Sequence, residues 1–236
     1  MIPLPMASPG SPSATWPDTP WSLIRRARAA APADRRTALS RLLELYYVPV
    51  RRFFARVLIG SAEAAGDVAH DLFARFLERD FLDALTHETS FRGFLKLACR
   101  RHCANWRAAE SASRRAAMRA AETGAAGHAE LDAALDEELR RHYVEEAMRR
   151  VRERLLRDRK PEVLAIFEAR TRPDGSRPED YSALASRFDL RVYDVQNRLA
   201  AARKVFRREL LAIARERADD PRAELRELGL LRHVEG

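Results

Sequence analysis

The chain is short of cysteine, glycine and lysine, and it lacks any long apolar run. Two cysteines in 236 residues, Cys99 and Cys103, are too few for a disulfide framework. The nine glycines form no phosphate-cradling loop, and G-x-S-x-G, H-E-x-x-H and a paired-carboxylate spacing are all missing. An enzyme is therefore not expected. No apolar stretch approaches the ~20 residues that span a bilayer, so no membrane partner is expected. Residues 1–19 are rich in Pro, Ser and Ala without a basic segment leading into an apolar core. This reads as a disordered tail rather than a secretory signal, and the expected location is the cytoplasm. Only Lys96, Lys160 and Lys204 among the 43 basic residues are lysine. With abundant Ala, this fits GC-rich coding more than a special chemistry.

What remains is helical. Strict alternation is absent, while apolar residues recur at three and four almost everywhere past the tail. The pattern predicts helices over Trp21–Ala30, Ala38–Leu58, Ala62–Glu78 and Phe91–Arg107. Ala38–Leu58 carries Leu42, Tyr46, Val50, Phe53 and Phe54 on a broad apolar face, with Pro49 inside it. Ala108–Ala129 is Ala-rich and broken by Gly124 and Gly127. The expected fold is all-α, with two small helical domains joined by a flexible linker. The domains are placed at 20–108 and 139–218, the linker at 109–138, and a C-terminal tail at 219–236, in which Pro221–Gly236 reads as a short helix with Leu225, Leu228, Leu230 and Leu231. Leu155, Leu156, Val163, Leu164, Ile166 and Phe167 are expected to form the second core.

The net charge is +8, which suits a polyanionic partner. Its sign alternates along the chain. Lys96–Arg119 holds seven basic residues against Glu110 alone, Glu130–Glu146 holds seven acids against Arg140 and Arg141, and Arg191–Arg217 is basic again. Two nucleic-acid-contacting blocks separated by an acidic one would give this pattern; so would long Arg/Glu helices by chance.

The last basic block is the most informative. Tyr181, Leu184, Ala185 and Phe188 form one short apolar stripe. Asp189 follows at a turn, where Asp tolerates a left-handed backbone, and Asp194 falls in the first turn of the next helix. On that helix Val192, Val195, Leu199, Ala202, Phe206 and Leu210 face inward. This is the pattern of a helix-turn-helix with the second helix basic and polar outside. Tyr193, Gln196 and Asn197 are candidate base readers, the amides suiting adenine. Arg203, Lys204, Arg207 and Arg208 are candidate phosphate contacts, and Arg191 is a further DNA-binding candidate. The plain alternative is a solvated basic face on an ordinary amphipathic helix.

Several stretches together resemble the extracytoplasmic-function (group IV) sigma factors of bacterial RNA polymerase. Thr19–Leu23 is similar to the opening of one subgroup, and Ala65–Asp80 resembles the helix that docks on polymerase. Phe91–Arg107 resembles the helix behind the promoter-melting loop, and Tyr181–Leu210 the module that reads the minus-thirty-five element. The chain departs at Ala64, Gly66 and His70, at Phe94, at Arg100-Arg101, and at Asn105. The resemblance implies core RNA polymerase and promoter DNA as partners, and it allows an anti-sigma factor. It implies polymerase docking by Asp67, Asp71, Phe73 and Arg75. It implies minus-ten contacts by Thr86, Ser90, Arg100, Arg101 and Asn105, with base capture by the loop Asp83–Ser90. It also implies that the acids Glu130–Glu138 thread the RNA exit channel.

Cys99, His102 and Cys103 lack an evident fourth ligand, so no metal and no cofactor are expected, nor a small-molecule substrate. Two rivals to a sigma factor remain. One is a stand-alone helix-turn-helix regulator, whose dimer face would expose Phe73 and Phe76. The other is a sigma-like decoy that binds polymerase without promoter DNA.

Overall fold

The computed structural model describes residues 22–24, 32–58, 62–77, 91–117, 127–171 and 177–235. Among them every extended element is a helix, so the fold is all-α. In chain order these are α1 (Pro32–Val57), α2 (Ala62–Leu77), α3 (Phe91–Ala117), α4 (His128–Arg157), α5 (Pro161–Thr171), α6 (Tyr181–Arg187), α7 (Val192–Arg217), α8 (Pro221–Glu227) and α9 (Arg232–Glu235). The expected tail at 1–19, and Thr86 and Ser90, lie outside the described residues.

Two buried clusters organise the chain. In the first, Leu42, Tyr46, Val50, Phe53 and Phe54 of α1 meet Ala65, Val68, Ala69 and Leu72 of α2 and Leu95, Cys99 and Cys103 of α3. Ala65 and Ala69, one turn apart, let α1 and α2 approach closely. Pro49 sits inside α1 without ending it. In the second cluster, Val151 and Leu155 of α4 meet Leu164, Ile166 and Phe167 of α5, Leu184 and Ala185 of α6, and Val195, Leu199 and Ala202 of α7.

The segments between and after the expected domains pack into the first cluster. Gly127 is the N-cap of α4, and 128–138 is helical and continuous with 139–157. Leu131, Ala134, Leu135 and Leu139 form a narrow apolar stripe among the acids and pack into the first cluster. The charges hid that stripe. On the other side, α3 runs ten residues beyond Arg107, to Ala117. The C-terminal stretch holds the short helix expected there, as α8. Leu225, Leu228 and Leu230 are buried in the first cluster, joined there by Leu210, Ile213 and Ala214 of α7. Asp220 caps α8, accepting from the Arg222 and Ala223 N–H groups at 3.0 Å, with Pro221 next. Thus α4 and α7 each contribute to both clusters. Two side chains expected in the core are outside it: Leu156 is 52% exposed and Val192 42% exposed.

Where α1, α4 and α7 meet, the Tyr46 hydroxyl donates to the Arg217 carbonyl at 3.2 Å, and the Arg217 guanidinium lies 4.9 Å over the Tyr143 ring. Arg217 Nη2 stands 3.3 Å from His142 Nε2, a contact that needs a neutral ring. Burial, then the Arg217 cation, push His142 down to about 4, against the opposing pull of Glu146 and Glu145. The folded value lies below the ordinary one near 6.5, so the unfolded chain takes up the proton first. Stability from this group is present above about pH 6.5 and is lost as pH falls toward 4. Melting temperature is expected to drop across that window, and His142→Gln to flatten the drop. An unchanged slope in the variant would count against this account.

Candidate nucleic-acid interface

The turn between α6 and α7 is set by backbone chemistry. Asp189 adopts φ 51°, the left-handed conformation. The Leu190 N–H then reaches back to the Ala185 carbonyl at 2.9 Å, closing α6 in a Schellman arrangement. A β-branched side chain is strained at this φ, so Asp189→Val should cost about 1–3 kcal/mol in a denaturant titration. Arg170 steadies the other end of α6, donating to the Glu179 carbonyl at 2.7 Å and lying 4.7 Å over the Tyr181 ring. At the start of α7, the Asp194 carboxylate accepts the Arg191 N–H at 3.3 Å, adding negative charge where the helix dipole favours it.

With Val195, Leu199 and Ala202 buried, the opposite face of α7 is open. Tyr193 is 69% exposed, and Arg191, Gln196, Asn197, Arg203, Lys204 and Arg208 are exposed; Arg207 is half-buried. Among the described residues, no carboxylate pairs with Arg203, Lys204 or Arg207. Arg208 does pair, with its neighbour Glu209 at 2.9 Å. Asn197, Lys204 and Arg208 also border a groove of about 600 Å³ floored by Leu155, Val163 and Val205. The face is thus polar and aromatic at its N-terminal end and cationic beyond, which is chemistry for base edges followed by phosphates.

The minus-ten candidates on α3 divide. Arg101 and Asn105 are exposed, at the edge of a cleft of about 220 Å³ between α2 and α3 that Arg75 also borders; Leu72 and Phe94 form its walls. Arg100 is instead half-buried and ion-paired with Asp132 of α4 at 2.9 Å. Asp132 falls in the expected linker 109–138, and Arg92 and Lys96, which share this interface, carry no assigned role in the sequence. The alternating charge blocks were the available signal.

On α2, Asp67, Asp71 and Arg75 recur every four residues and are all exposed. Phe73 is not with them. It is buried, with its ring centroid 6.0 Å from that of Tyr47, and so it supports the helix rather than offering a contact. His70 lies beside Tyr47, its Nδ1 3.4 Å from the hydroxyl. Cys99 and Cys103 are free thiols in the core, and burial pushes Cys103 up to about 11. His102 packs edge-on to Phe54 at 5.8 Å; burial and then Arg75 hold it below its ordinary pKa. No described helix is long and apolar enough to cross a membrane.

Comparison with family models, curated proteins and solved structures finds no match for this chain.

Proposed function

We propose that the chain is a sigma factor of the extracytoplasmic-function kind, binding core RNA polymerase and directing it to promoter DNA. The observation that carries this reading is the outer face of α7. Tyr193, Gln196 and Asn197 are exposed at its N-terminal end, and Arg203, Lys204 and Arg207 follow without acidic partners among the described residues. Unneutralised cations on a rigid helix behind a tight turn are what a duplex reader needs. In this reading α2 docks on polymerase through the exposed stripe Asp67, Asp71 and Arg75. Burial of Phe73 favours that role over a dimer built on the same residue.

The test is run-off transcription from a promoter library, using core RNA polymerase with and without this protein. Protein-dependent transcripts sharing two spaced sequence elements are expected. No transcripts, together with sequence-specific binding by the protein alone, would move the reading to a stand-alone regulator. Transcription indifferent to Tyr193→Ala, Gln196→Ala and Asn197→Ala would overturn α7 as the promoter reader.

A further inference from the structure

Helix α3 carries Arg92, Lys96 and Arg100 at four-residue intervals, so the three share a face with about 6 Å between successive positions. All three are covered. Arg92, only 6% exposed, meets Asp136 of α4 at 2.8 Å, Glu224 of α8 at 3.2 Å, and Glu227. Lys96 Nζ meets the second oxygen of Asp136 at 2.6 Å, and Arg100 Nη1 meets Asp132 at 2.9 Å. Three cations therefore face four carboxylates. The exposed Arg203 and Lys204 of α7 are in the opposite condition, with no acidic partner among the described residues.

We propose that α4 masks a nucleic-acid-backbone site on α3, with Asp132 and Asp136 standing where phosphate oxygens would bind Lys96 and Arg100. The free chain is then self-blocked, and a single strand has to displace the acidic helix to reach the stripe. The inference rests on the DNA-binding reading above. One general property and one observation favour a mask over a purely stabilising contact. Ammonium and guanidinium groups bind phosphate through the same contacts they make with carboxylate, so the exchange preserves their chemistry. The pairing is also imperfect: Asp132 Oδ1 is buried with no hydrogen-bond partner among the described residues. Leu131 and Leu135, buried beside the acids, resist opening, so the mask lifts only against bound nucleic acid or a protein partner.

The test uses the full chain and a labelled oligothymidine strand, titrated by fluorescence anisotropy at several salt concentrations. Asp132→Asn with Asp136→Asn should tighten binding about tenfold. It should also steepen the salt dependence by about one to two units, as two more phosphates are neutralised. Adding Lys96→Ala and Arg100→Ala should cancel the gain. A control pair, Glu44→Gln with Glu153→Gln, makes the same change in net charge at exposed positions on α1 and α4. An equal gain in the control overturns the proposal, since general electrostatics would then explain it. A second measurement needs only the wild-type chain: amide hydrogen exchange over 128–138 should quicken when the strand binds, and unchanged exchange overturns the mask. Failure of every variant to bind the strand also overturns it. The α7 reading is judged separately, by duplex binding of Arg203→Ala with Lys204→Ala.

Discussion

Replacing Arg203, Lys204 and Arg207 together by alanine is expected to abolish most duplex binding at physiological salt while leaving the fold intact. Each phosphate contact contributes about 0.9 to the slope of log affinity against log salt, so the slope should fall by about two to three units. Arg203 and Lys204 are exposed and none of the three has an acidic partner among the described residues, so melting temperature should barely move. Tyr193→Ala, Gln196→Ala and Asn197→Ala should behave differently. A lost base contact costs about 1–3 kcal/mol and relaxes discrimination at one position while keeping the salt slope. Electrophoretic or anisotropy titrations on specific and scrambled duplexes separate the two classes. Equal losses on both duplexes for the second group would show that these residues do not read sequence.

Arg92→Met should be the most destabilising single charge change, by about 3–5 kcal/mol, because it strands buried carboxylate without its cation. Arg92 ties α3 to α4 through Asp136 and to α8 through Glu224 and Glu227. Burial already raises the Glu224 pKa, with the Arg92 cation opposing that rise. A carboxyl whose folded value lies above its unfolded one favours folding most when protonated. The loss in Arg92→Met should therefore be full at neutral pH and shrink as pH falls through the folded value toward the unfolded range near 4.3. Glu224→Gln in the same background should recover part of the loss, giving a coupling measurable by a double-mutant cycle in urea. Equal destabilisation at pH 4 and pH 7 would mean that Arg92 acts through packing alone.

Local chemistry was legible in the chain itself. The helical class follows from a 3.6-residue periodicity that no alternating pattern interrupts. The turn at Asp189 and the inward set Val195, Leu199 and Ala202 also follow, because turn conformation and helix face are decided by neighbours within about five positions. The polar and basic outer face of α7 is the complement of that inward set. Val192 and Leu156 mark the limit of such reading: an apolar residue at a face's edge is buried only if another element arrives to cover it.

Tertiary structure decided which charges remain available. The acids of Glu130–Glu138 and the basic block that begins at Lys96 show their sign in the sequence, but sequence gives the sign of a charge and not its partner. Packing of Leu131 and Leu135 against the first cluster brings Asp132 and Asp136 onto Lys96 and Arg100, and packing of Leu225 carries Glu224 to Arg92. A few buried leucines far apart in the chain thus determine that α3's stripe is covered while α7's face stays open. Those long-range contacts depend on how whole helices pack, which no local pattern encodes.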